Sequence, residues 1–194
     1  MAFLRVLEGM RRRLKVFITT LVLLIIPPCI YALYEIETGN FHTITSGEAY
    51  RSGQLDRNRL AYYIKAYKIK SILNLRGEKP GSKWYVEEMR TCAENSVMHY
   101  DVSLSAYSEP IEEDVRKLMT VFRSAPRPIL IHCEGGADRS GLVSAMWKVV
   151  VDGEPKSEAE KQLFLLYGHI PFGKAHVMDR FFREWRPEIS RLSE

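Results

Sequence analysis

Ile129-Leu130-Ile131-His132-Cys133-Glu134-Gly135-Gly136-Ala137-Asp138-Arg139-Ser140-Gly141 is the stretch from which the fold of this chain can be read. Three apolar residues after Pro126 and Pro128 read as a short buried strand. Leu142, Ala145, Met146, Val149 and Val150 then recur at helical spacing on one face. Between strand and helix lies a loop whose Gly135 and Gly136 suit a tight turn with positive φ and close backbone approach. Cys133 therefore stands at the C-terminal end of a strand, and its loop opens a helix. In open α/β sheets that is where ligands bind. A free thiol titrates near ~8.5, too high for a thiolate at neutral pH. Backbone N–H groups converging at a helix N-terminus lower it, because they form a concave anion site. The same concavity fits a phosphoryl group. Arg139 can close it with a planar fork that matches two oxygens, a geometry Lys lacks. Ser140 can hydrogen-bond the sulfur and stabilise it as a leaving group. A buried, inert Cys in a Gly-rich turn would not need His132, Cys133, Gly136, Arg139 and Ser140 in register.

That spacing, His-Cys-x-x-Gly-x-x-Arg-Ser, resembles the signature of the protein tyrosine and dual-specificity phosphatase superfamily. Rhodanese-type sulfurtransferases also use a loop Cys, but their loop usually differs in length and lacks the Arg-Ser ending. Two further segments are similar to bacterial and atypical dual-specificity domains: Ala49-Tyr50-Arg51-Ser52-Gly53-Gln54 near the domain start, and the strand ending Asn74-Leu75-Arg76. The resemblance implies an α/β fold whose central, mainly parallel sheet is flanked by helices. It implies attack by Cys133 and a phosphocysteine intermediate, with Arg139 and the loop Glu134, Gly135, Gly136, Ala137, Asp138 and Ser140 holding phosphate. No cofactor or metal is implied. The implied substrate is a phosphotyrosine or phosphoserine/threonine protein. A lipid phosphate such as phosphatidylglycerophosphate or a phosphoinositide is the alternative. A non-catalytic phosphate-binding module is a third reading, against which the intact Cys133 and Arg139 argue.

The family also needs an Asp that protonates the leaving oxygen. No residue matches that pattern cleanly. Asp101 leads, at the end of His99-Tyr100-Asp101-Val102, a strand expected to run beside the one ending at Cys133. Asp138 is the rival from inside the loop; an Asp directly before the loop Arg also occurs in myotubularin-type and some lipid-accepting bacterial phosphatases. Glu109 and Asp114 suit a helix start and a helix surface. His132 is read as orienting the loop. Cys92 is read as an ordinary helix Cys that could trap Cys133 in a disulfide.

The chain has 194 residues, 3 cysteines and a formal net charge of +4. Part of that charge is local, since Arg5, Arg11, Arg12, Arg13 and Lys15 crowd the N-terminus. The remainder is close to balanced, so nothing points to nucleic acid. No paired Cys or His spacing suggests a metal site. Residues 16–34 form an uncharged, mostly apolar run long enough to cross a bilayer, and Pro27 and Pro28 are tolerable there. Basic residues precede it; Glu35, Glu37 and Glu48 follow. The positive-inside rule then leaves residues 1–15 in the cytoplasm and a domain of residues 35–194 outside it, in the periplasm of a bacterium. No good small-x-small cleavage site follows the run, so an uncleaved single-pass anchor is expected.

Elsewhere, short strands are expected at 40–44 and 48–51 around Ser46-Gly47, a helix at 55–67, a strand at 71–75, a helix at 84–95, a strand at 97–102 and a helix at 112–123. Two amphipathic helices should follow Gly153, the second carrying Val177, Met178, Phe181, Phe182 and Trp185 as core. Alternating strands and helices argue independently for the parallel α/β class.

Overall fold

The computed structural model describes residues 2–187 in backbone, and the side chains of 9–173 and 175–187; residues 188–194, the end of the expected domain, lie outside the described residues. The chain divides into two compact units between Thr38 and Gly39.

The first unit is one helix, α1 (Ala2–Thr38), which runs through Pro27 and Pro28 without a break. Its stretch Gly9–Thr38 has a mean hydropathy of 2.4 in its most apolar window and buries none of that window. By length and composition it can cross a membrane.

The second unit is built on a five-stranded sheet: β1 (His42–Thr45), β2 (Ala49–Ser52), β3 (Ser71–Asn74), β4 (Met98–Asp101) and β5 (Ile129–His132). The strand order is β1-β2-β5-β3-β4. Only the β1–β2 hairpin is antiparallel; β2, β5, β3 and β4 run parallel. Gly47, at φ 74, turns the hairpin as its sequence foretells. The strand carrying the reactive loop is central and buried on both faces, which is why Ile129-Leu130-Ile131 reads as a continuous apolar run.

One face of the sheet packs α2 (Arg57–Tyr67) and α3 (Lys83–Glu94) around Leu60, Tyr63, Ile64, Ile72, Cys92 and Leu130. Asp56 caps α2, accepting from the N–H groups of Asn58 and Arg59. The other face packs α4 (Glu112–Ser124), α5 (Asp138–Val150) and α7 (His176–Glu184) around Leu73, Leu118, Phe122, Ile131, Met146, Trp147, Met178 and Phe182. The aromatic residues of α7 are therefore core.

Two local expectations need correction. Helix α5 does not show one apolar face: every residue from Ser140 to Trp147 is buried. It lies between the sheet and the outer helices, so all its sides are covered. And the first of the two helices after Gly153 is only α6 (Lys156–Ala159), followed by three short 3-10 turns at Glu160–Gln162, Leu165–Tyr167 and Gly173–Ala175. Gly168 at φ 77 and Pro171 stop any longer helix there.

Candidate active site

The loop from Cys133 to Arg139 is shaped by what holds its carbonyls. Glu134 O accepts from Gln54 N at 2.9 Å. Gly135 O accepts from Asn40 Nδ2 at 2.9 Å. The Arg51 guanidinium donates through Nη2 to Gly136 O at 2.8 Å and Ala137 O at 3.0 Å. A trans peptide sets each N–H opposite the preceding C=O. With four successive carbonyls turned outward, the N–H groups of residues 135–138 turn toward the loop's own concavity. Arg51 is fully buried, is held in turn by Gln162 O at 2.7 Å, and lies 4.5 Å from the Tyr167 ring centroid.

Gly136 is required twice over. It has φ 74, and a Cβ there would meet Gly53 N at 2.5 Å. Gly135 has no such requirement, which corrects the expectation for that residue: its φ is not positive and a Cβ would find open space.

Cys133 is buried at the end of β5, with Sγ 3.5 Å from Ser140 Oγ in the first turn of α5. No side chain caps that helix. Its first N–H groups remain available to an anion, and the helix dipole favours one. Arg139 turns back over the loop, where Nη1 donates to Leu104 O at 3.4 Å. Its Nε is buried without a hydrogen-bond partner among the described residues. A buried cationic donor of this kind demands an acceptor. Glu134, 71% exposed at the mouth, stands 3.7 Å from Arg139 and 3.8 Å from Arg76. The Arg76 guanidinium carbon lies 3.8 Å from the Trp84 ring centroid and Nη1 donates to Gln54 Oε1 at 3.0 Å, so Arg76 walls the mouth.

Two His–carboxylate chains reach this loop. In the first, His132 Nε2 lies 3.1 Å from Glu88 Oε1, which is 2.9 Å from His99 Nε2; His99 Nδ1 is 3.3 Å from Asp101. Gln54 donates to Glu88, while Asn74 and Tyr85 donate to Asp101. Burial by itself would raise the Glu88 carboxyl; the neighbouring His132 and the hydrogen bonds from His132, His99 and Gln54 override it and hold the group well below the usual carboxylate range. His132 also contacts Cys133 O at 3.3 Å. In the second chain, His169 Nδ1 lies 2.7 Å from Asp138 Oδ1 and Nε2 2.9 Å from Asp179 Oδ2. His169 is 0% exposed. Burial opposes its charge, but the hydrogen bonds and charges of Asp138 and Asp179 prevail and its pKa is raised.

The placement of Asp101 is a correction. β3 lies between β4 and β5, and Asn74 pairs with Asp101 on one side and His132 on the other. Asp101 is thus two strand spacings, about 9–10 Å, from the reactive strand, not beside it. Asp138 lies in the loop itself. Glu109 accepts from Arg180 at the surface, and Asp114 sits in the acidic first turn of α4. Cys92 packs on the opposite face of the sheet from Cys133, so the disulfide reading is also corrected. The sequence reading missed Asn40, Arg51, Glu88, His169 and Asp179. Arg51 lies inside the Ala49–Gln54 segment similar to dual-specificity domains; the lone His169 carries no spacing signal at all.

A family model described as DSP-PTPase phosphatase fused to NAD+ kinase matches residues 35–170. The chain belongs to this family. Among curated proteins it is 28% identical to inositol diphosphatase SIW14 of Saccharomyces cerevisiae over 76% of this chain and 52% of that protein. It is 32% identical to dual specificity protein phosphatase TpbA of Pseudomonas aeruginosa over 32% of this chain and 30% of that protein. The chain thus spans about half the length of SIW14 and less than a third of TpbA. Among solved structures, the core catalytic domain of the PP-IP phosphatase SIW14 superposes with a TM-score of 0.62 at 23% identity, covering 78% of this chain and 89% of that one. PTPMT1 in complex with PI(5)P gives 0.56 at 14% identity, covering 74% and 95%. These likenesses establish the dual-specificity phosphatase fold.

Proposed function

We propose that this chain hydrolyses phosphomonoesters through a phosphocysteine intermediate on Cys133. The observation that carries this is the buried thiol at an uncapped helix N-terminus, facing an inward ring of N–H groups closed by Arg139 with its Nε unpartnered. Cys133 attacks phosphorus as thiolate, the loop amides and Arg139 hold the equatorial oxygens, and Ser140 stabilises the sulfur when water releases phosphate. For the general acid we favour Asp138 over Asp101. Both oxygens of Asp101 are occupied by Asn74, Tyr85 and His99, whereas Asp138 belongs to the loop and uses one oxygen toward His169.

The substrate favoured is a single phosphomonoester of modest charge, such as phosphotyrosine in a protein. The loop carries Glu134 and Asp138 where a highly anionic inositol pyrophosphate, the class named for SIW14, would be served by Lys or Arg. A lipid monophosphate is the second reading, supported by exposed Phe164 and Phe172 on the segment that packs against the catalytic loop. In both readings α1 anchors the enzyme in a membrane, with Arg11, Arg12, Arg13 and Lys15 on the cytoplasmic side and the catalytic unit on the other.

The test is turnover of p-nitrophenyl phosphate. Cys133→Ser should abolish it while phosphate still binds, Arg139→Lys should cost roughly 10²–10³-fold because the bidentate fork is lost, and EDTA should leave the wild type unaffected. Substantial turnover by Cys133→Ser overturns the mechanism. A periplasmic reporter fused to the C-terminus should be active; activity of a cytoplasmic reporter instead reverses the topology.

A further inference from the structure

We propose that the segment from Phe164 to Phe172 is a bilayer-docking surface that seats the mouth of the catalytic loop on the membrane carrying α1. Phe164, Leu165, Leu166, Ile170 and Phe172 are 61%, 64%, 52%, 55% and 79% exposed. Five large apolar side chains so exposed within nine residues are unusual for a surface facing only water. They do not belong to a loose segment. Just before it, the Gln162 carbonyl accepts from Arg51; within it, the Tyr167 ring lies 4.5 Å from the Arg51 guanidinium carbon and meets His42 edge-on, and His169 is fully buried. The apolar side chains are thus displayed from a fastened segment whose buried His169 bonds Asp138 of the catalytic loop.

Position identifies the occupant. Asn40, the second residue of the catalytic unit, donates through Nδ2 both to Tyr167 O at 3.0 Å and to Gly135 O at 2.9 Å. The docking segment, the catalytic loop and the point where the chain enters the unit therefore share one end of it. Only Gly39 separates Asn40 from the last residue of α1 in the sequence. The charge agrees with a lipid surface. From Leu163 to Met178 the sequence contains no Asp or Glu and one Lys, so nothing there repels anionic headgroups. A surface of this kind would present headgroup-level phosphomonoesters to Cys133.

The inference rests on α1 being a membrane anchor and on the phosphatase reading, and three readouts on one preparation separate them. The full chain is reconstituted into vesicles of phosphatidylcholine and phosphatidylglycerol brominated in the acyl chains. Flotation reports the anchor, and p-nitrophenyl phosphate turnover reports the folded catalytic unit. Tryptophan is then introduced as Phe172→Trp, or as Tyr62→Trp on the exposed side of α2 for a control, with the wild-type emission subtracted. We expect the added Phe172→Trp emission to be quenched by bromolipid at least twofold more than that of Tyr62→Trp. Equal quenching in floating, active protein overturns the docking surface alone. So does an added tryptophan shielded from both bromolipid and aqueous acrylamide, which would assign the patch to a second copy of the chain. Protein that fails to float loses both the anchor and the docking surface. A combined Phe164→Ser, Leu165→Ser and Phe172→Ser variant should keep soluble turnover and lose at least tenfold on a vesicle-borne phosphate monoester; equal activity on both substrates relative to wild type counts against the proposal.

Discussion

The two His–carboxylate chains that flank the catalytic loop look alike and differ in what they deliver. The chain on the β4 side joins Asp101, His99, Glu88 and His132, two imidazoles to two carboxylates, and Asn74, Tyr85 and Gln54 occupy the remaining oxygens. It ends on the carbonyl of Cys133. The chain on the α7 side sets one imidazole, His169, between two carboxylates, and it ends on a side chain of the loop, Asp138. A closed and matched network orients backbone. The unmatched one ends on the carboxylate that the proposed mechanism uses as its proton donor, Asp138. On the proposed mechanism the same residue types would serve position on one side and proton transfer on the other.

Exchange of the two terminal aspartates breaks or confirms that division most sharply. Asp138→Asn should lower turnover of an alkyl phosphate by ~10²–10⁴-fold, because an alkoxide leaving group needs its proton. With p-nitrophenyl phosphate, whose leaving group needs little protonation, the loss should be small. Asp101→Asn should show no such dependence on leaving group. Kinetics on both substrates decide the matter; a leaving-group dependence in Asp101→Asn and none in Asp138→Asn reverses the assignment, and its absence from both turns attention to Glu109.

The centre of the β4-side chain should matter to stability before it matters to rate. Glu88→Gln removes the anion that His132 and His99 share, and breaking such a buried pair costs about 3–5 kcal/mol. The Glu88 pKa is depressed in the folded state. Its stabilisation is thus present above the unfolded carboxyl pKa of about 4.3 and is lost as pH falls below it. Urea unfolding at pH 7 and pH 4 should show a smaller loss on acidification for Glu88→Gln than for the wild type. Parallel losses would mean that Glu88 is not held ionised by its partners.

Neither chain could be read from the sequence, and the reason lies in separation along the chain. The catalytic loop is local: strand, Cys, Gly136, Arg139 and helix fall within a dozen residues, and so do the strand and helix periods that place them in a parallel α/β sheet. Its supports are not. Asn40 and Gly135 are 95 residues apart, Arg51 and Gln162 are 111, and Glu88 and His132 are 44. Asp101 shows the same limit from the other side. Its place at a strand end is legible locally, but which strand lies beside it depends on the order β5-β3-β4, which chain order does not reveal. The segment after Gly153 misled for a physical reason: Leu163-Phe164-Leu165-Leu166 mimics an apolar helix face, yet most of those side chains are exposed.

The smallest effect expected is a slope, and it isolates His169. Its folded pKa is raised above the unfolded value of about 6.5, so below that pH both states hold the proton and the stabilisation is complete. Above it, the folded state binds more protons than the unfolded one, and stability falls as pH rises through the folded pKa. One proton corresponds to at most about 1.4 kcal/mol per pH unit. His169→Asn should be less stable at every pH, since Asp179 loses its partner in a buried setting. The informative quantity is the difference in slope. Between pH 6.5 and 8.5 the unfolding free energy of the wild type should decline more steeply than that of His169→Asn, and Asp138→Asn should narrow the window by removing one of the two carboxylates that raise the pKa. Identical slopes in wild type and His169→Asn would show that the imidazole carries no extra proton in the fold, and the α7-side chain would then be a hydrogen-bond bridge through an uncharged imidazole.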